Sequence, residues 1–155
     1  MTQQPTPNPK PTTAREFVHS RLIDAPRERL FRAFAQPEHL AQWWGPDGFS
    51  NTFETFNLRV GGQWRFVMHG PDGTDYPNEI VFRELVAPEL VVLEHLGSVH
   101  HFFLTITFTE QAGKTLVGWR QVFDTAQQKE AIAAFVIPAN EQNLNRLANE
   151  VHNVP

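Results

Sequence analysis

The chain has 155 residues, 13 Lys and Arg against 17 Asp and Glu for a formal charge of -4, and no cysteine. The length fits one domain with a core of its own, and the missing thiols exclude disulfides, iron–sulfur clusters, cysteine-ligated zinc and sulfur nucleophiles. An acidic chain without a Lys or Arg run lacks the footprint of a nucleic-acid binder, and with neither a signal-peptide pattern nor about 20 uninterrupted apolar residues it is expected to be cytoplasmic, with no membrane span.

Residues 1–14 alternate Pro5, Pro7, Pro9 and Pro11 with Thr, Gln and Asn, offer no apolar face, and read as a disordered tail before a single domain over 15–155. Phe17 to Ile23 reads as a strand, and Pro26 suits the first turn of a helix in which Leu30, Phe31 and Phe34 recur at helical spacing. A second short helix restarts at Pro37 with Leu40, Trp43 and Trp44 and stops at Gly45-Pro46.

From there the period becomes two. Strands are expected over 49–59, 63–69, 78–86, 90–96, 100–110 and 114–123, with Gly-Gly, Pro-Asp-Gly, Ala-Pro, Gly-Ser and Ala-Gly turns between them, which makes an antiparallel meander. Phe102, Leu104, Ile106 and Phe108 alternate with Phe103, Thr105, Thr107 and Thr109, so the first set should be covered and the second wet. Thr125 and Gln128 have the spacing of a capping box and open a last helix with the stripe Ile132, Phe135, Val136, Ala139, Leu147 and Val151. Pro138 predicts a kink or break in it near Ile137. The sum is an α+β architecture: a curved antiparallel sheet of about seven strands, two short helices and a long C-terminal helix gripped by the sheet, with space between.

The series Ala25-Pro26, Gln36-Pro37-Glu38, Leu40, Trp43-Trp44-Gly45-Pro46, Leu58-Arg59-Val60-Gly61-Gly62, Trp64, Asp72-Gly73, Glu84 and Pro88-Glu89-Leu90 resembles the homologues of the heat-shock-protein-90 ATPase activator. The resemblance covers residues 15–152, and the segment Asn140 to Leu147 resembles the ending of many bacterial members. It implies membership of the START-related and pollen-allergen-like superfamily, a helix-grip fold, and a cavity that accepts hydrophobic ligands. It also implies, more remotely, contact with a chaperone. Where the family often has glycine, this chain has Tyr76-Pro77-Asn78-Glu79, at the expected cavity rim.

Parity along the strands puts Trp64, Phe66 and Met68 on one face and Trp119, Gln121 and Phe123 on another. With Trp44, Phe102, Leu104 and Phe135 they would form a mostly aromatic chamber for a small hydrophobic molecule. Gln121 on such a face needs a partner, which a ligand, water or Tyr76, the single tyrosine, could supply. At ~24 cal/mol per Å³, a dry void of roughly 300 Å³ would cost about 7 kcal/mol, so the space should be small, hydrated or occupied. Plain core packing is the competing reading of each aromatic residue.

Catalytic motifs with known mechanics are absent, and no cofactor is expected. His69 and Glu79 are the candidate proton-movers at the cavity mouth of a cyclase-like alternative. His95, His100 and His101 with Glu94 are a weaker candidate metal set, since His100 and His101 should face opposite sides. The association state is left between monomer and homodimer.

Overall fold

The computed structural model describes residues 12–97 and 100–155. Of the tail expected over 1–14, residues 1–11 lie outside that range, as do Ser98 and Val99 of the predicted Gly-Ser turn; Thr13–Arg15 form a single 3-10 turn. The elements that follow are β1 (Glu16–Ile23), α1 (Arg27–Ala35), α2 (Pro37–Trp43), β2 (Ser50–Phe56), β3 (Gln63–His69), β4 (Asp75–Val86), β5 (Leu90–Leu96), β6 (Phe102–Gln111), β7 (Lys114–Phe123) and α3 (Ala126–Glu150). The seven strands form one curved antiparallel sheet in the order β1-β7-β6-β5-β4-β3-β2, the helix-grip architecture expected.

Strand boundaries depart from expectation where local chemistry intervenes. β2 stops at Phe56 because Asn57 to Gly62 fold into a turn, with Arg59 N–H donating to the Asn57 carbonyl and Gly62 N–H to that of Arg59. β4 begins at Asp75 and so runs through Pro77. There it is paired only with β3, at Val67, since its pairing with β5 begins at Glu79; a missing N–H is tolerated at such an edge. β6 begins at Phe102, not His100, whose carbonyl is taken by the His95 side chain. Leu104, Ile106 and Phe108 are buried, with Phe102 packed at the margin of the core.

The core is aromatic and lies beneath α1 and α2. Phe34 sits at its centre, with ring centroids 6.1–6.3 Å from those of Trp43, Trp44, Trp64 and Phe82. Burying such rings contributes about 1.5–3 kcal/mol each, with a further gain from edge-to-face pairs. The Trp43 indole N–H donates to the Ala33 carbonyl, which closes the angle between α1 and α2.

The α3 helix starts with the expected capping box: the Gln128 N–H donates to Thr125 Oγ1, and the Thr125 N–H to Gln128 Oε1. It passes Pro138 as one uninterrupted helix, so of the predicted kink or break the break is absent. Its fully buried residues, Asn140, Asn143, Leu144 and Leu147, all follow the proline. Val151 is buried in a closing 3-10 turn, whereas Ile132, Val136 and Ala139 are half-buried and Phe135 is 62% exposed. One half of the helix is thus clamped to the core, and the other stands over open space.

Candidate functional site

That open space is a cavity of about 600 Å³ between the inner face of the sheet and the first half of α3. Inward parity along the strands sends Met68, Tyr76, Phe102, Leu104, Trp119 and Gln121 to its wall, Trp44 enters from the end of α2, and Phe135 closes it from the helix. Those eight predicted residues meet at one place. Trp64 and Phe66 share the inward face but do not reach the cavity: α1 and α2 cover that end of the sheet, and the two rings stack at 4.4 Å inside the core. Parity reports which face a side chain takes, not what covers it.

The loop after α2 is fixed from α3. Arg146 donates to the carbonyls of Gln42, Trp44, Gly45, Pro46 and Phe49 at 2.8–3.3 Å. Asn143 adds two bonds, donating to the Trp43 carbonyl at 2.8 Å and accepting from the Gly45 N–H at 3.2 Å. Gly45 itself has φ +99°, a left-handed conformation, and a Cβ there would lie 2.7 Å from Met68 Cε. The missing side chain at this turn leaves room for the Met68 methyl to lie against the loop.

Gln121 finds a partner other than the predicted Tyr76: its Oε1 accepts from Asn140 Nδ2 at 3.0 Å, joining β7 to α3 in a buried amide pair. Tyr76 instead packs by Phe49, with centroids 6.0 Å apart, and is 45% exposed at the rim. No hydrogen bond among the described residues engages Gln121 Nε2 or Asn140 Oδ1, so a donor and an acceptor remain for an occupant.

The candidate proton-movers lie elsewhere. His69 alternates with inward Met68 and is therefore on the outer face, where Nδ1 bonds Asp75 and Nε2 bonds Thr52, both at 2.7 Å. Glu79 is likewise outward, beside Arg65 of the neighbouring strand. Neither stands at the cavity mouth. The histidines around the β5–β6 connection also divide by face. His101 is outward, between Glu94 at 2.6 Å and Asp124 at 2.8 Å, and those carboxylates hold its pKa above the usual imidazole value. The His101 bond, with help from Arg83, holds Glu94 below the usual carboxylate value. His95 and His100 line the cavity. Among the described residues no three His, Asp or Glu side chains gather to hold a metal ion.

His95 was not among the residues predicted to line the cavity. Its ring lies flat on Phe102, with centroids 4.7 Å apart at 6°, and burial pushes its pKa down. Asn140 and Asn143 were missed as well, because two amides in a helix stripe look like interruptions of its apolar face.

The sequence family described as activator of Hsp90 ATPase homologue 1-like protein matches residues 24–152. Solved structures share the fold. A crystal structure of a Nitrosomonas europaea protein superposes with a TM-score of 0.83 at 18% identity, covering 96% of this chain and 99% of that one. A solution structure from Arthrobacter aurescens gives 0.84 at 21%, covering 94% and 90%. A Silicibacter pomeroyi protein named for the same activator family gives 0.68 at 19%, covering 88% and 97%. No functionally curated protein matches the chain. No helix among the described residues is long and apolar enough to cross a membrane.

Proposed function

The chain belongs to the family of activator of Hsp90 ATPase homologue 1-like proteins, and on that premise we propose that it binds a small hydrophobic or aromatic molecule between its sheet and α3. The observation that carries this reading is the cavity itself. At about 600 Å³ it falls within the roughly 300–1,000 Å³ of small-molecule sites, and it opens to solvent on one side, so water can enter it. The space is therefore hydrated or occupied. Its walls include Trp44, Met68, Phe102, Leu104, Trp119 and Phe135, and its polar groups include the Gln121–Asn140 amide pair, the composition of a ligand site. Proton transfer by His69 or Glu79 has no support, because both face away from the space a substrate would fill.

Native mass spectrometry of freshly purified protein, followed by a thermal-shift screen of apolar and aromatic molecules, tests the proposal. A ligand at 100 times its dissociation constant adds about 2.7 kcal/mol, several degrees of melting temperature for a chain this long. Phe135→Ser should abolish that shift and leave the unliganded melting temperature within about 2 °C, since the ring is largely exposed. No bound mass and no shift with any compound would overturn the reading.

A further inference from the structure

The two nitrogens of His95 both face acceptors. Nδ1 lies 2.7 Å from the His100 carbonyl oxygen, and Nε2 lies 2.6 Å from Asn78 Oδ1. The Asn78 amide is oriented from its other end, where Nδ2 donates to the Tyr76 carbonyl at 2.8 Å; turning the amide over would set oxygen against oxygen there. A neutral imidazole carries one N–H, so either tautomer leaves a lone pair pressed against an oxygen. Only the imidazolium donates to both.

The surroundings supply no charge to match it. Among the described residues no Asp, Glu, Lys or Arg lines the cavity; the titratable groups that line it beside His95 are Tyr76 from β4 and His100 from the β5–β6 connection, and α3 presents only Ala131, Ile132, Phe135 and other uncharged residues. Glu94, next along β5, points outward to Arg83 and His101. Burial holds His95 below the usual imidazole value against the raising effect of its bond to the His100 carbonyl, and the neighbouring His100 and His101 rings add repulsion. The ring's hydrogen-bond geometry is built for a cation, in a wall without an anion.

We propose that the anion belongs to the ligand: the cavity takes an organic acid whose apolar body lies against Trp44, Trp119 and Phe135 and whose carboxylate sits beside His95. This rests on the cavity reading above and adds the ligand's class. Binding is then linked to a proton, because a carboxylate favours the imidazolium and so raises the His95 pKa in the complex. Affinity for the acid is highest below the free protein's His95 pKa and falls as pH rises through that of the complex. An uncharged ligand of the same shape shows no such slope.

Isothermal titration of the whole chain with 2-naphthoate and with its uncharged counterpart 2-naphthamide, from pH 5.5 to 8.5, tests this. A rise of one unit in the His95 pKa corresponds to about tenfold tighter naphthoate binding at the acid end, with proton uptake visible in buffers of different ionisation enthalpy. His95→Gln should erase that slope. NMR titration of the His95 ring in the unaltered chain, with and without naphthoate, stands whatever the substitution does to folding: the expected result is a higher pKa with ligand. Naphthamide binding without a preference for naphthoate, or an unmoved His95 pKa, overturns the acid and leaves the cavity reading intact. Binding of neither compound overturns the acid, and only with no shift for any compound in the thermal screen does the cavity reading fall with it.

Discussion

Arg146 satisfies five backbone carbonyls of the chain between Gln42 and Phe49, the stretch that delivers Trp44 to the cavity. A guanidinium suits this task because the four N–H groups on its two terminal nitrogens are fixed in a plane and can be shared among the five oxygens, whereas a lysine ammonium has three donors on one atom. Each carbonyl left without a partner costs about 1–3 kcal/mol where water cannot replace the bond. Arg146→Lys should therefore lower stability by about 3 kcal/mol, roughly 6–12 °C, and chemical denaturation would register it. A lysine variant as stable as the parent would mean that the carbonyls are satisfied otherwise. Nothing in the sequence singles out this residue. It is one of 13 basic side chains, and its partners are main-chain oxygens, which no side-chain pattern reveals.

For elements, legibility followed how local the determining physics was. Gln63–His69, Leu90–Leu96 and Lys114–Phe123 were bounded correctly because each has turn residues next to an alternating run. Asp75–Val86 was cut short at Pro77 because the tolerance for proline there depends on where β5 begins to pair, a fact of the sheet and not of the segment. The site divided the same way. Face assignments along β3 and β7 were legible, while the depth of Trp64 and the partner of Gln121 depended on α1, α2 and α3 lying over them. Helix α3 shows the limit most plainly: its apolar stripe runs through both halves, yet its first half buries no residue fully and its second is fastened by Asn140, Asn143 and Arg146. Local opening follows buried contact. Amides of residues 130–137 should exchange hydrogen faster than those of 144–150, by at least about tenfold, and a bound ligand should narrow the gap. Equal protection along the helix without ligand would contradict this division.

Across the whole molecule, charge bears on stability through a few linked groups. Glu94 and Glu141 have depressed pKa values, Glu94 chiefly from its bond to His101 and Glu141 from its bond to His19. Their contribution is present above the unfolded carboxylate value of about 4.5 and is lost as pH falls through the folded values. His101 runs the other way: its raised pKa contributes fully below the unfolded value of about 6.5 and is lost as pH rises through the folded one. The melting temperature should thus fall steeply below about pH 4.5, and His101→Gln should cost more at pH 6 than at pH 9. A difference between parent and variant that does not change with pH would show that the His101 bridges carry no net stabilisation.

The sheet order sets β1 beside β7, so that Glu16 faces Val122 while every other strand pairs with a neighbour in sequence. The remaining strands can zip as successive hairpins, each closing a short loop; β1 must wait for a chain end to find a partner about a hundred residues away. Closing a loop of that length carries an entropic cost that grows only logarithmically, but it delays the contact. Until β1 arrives, β7 is a bare edge with free backbone donors and acceptors, open to any extended segment, including one from another copy. Docking of β1 closes that edge along eight residue pairs, from Glu16–Val122 to Ile23–Thr115, and moves the sheet's open side to the N-terminal strand itself.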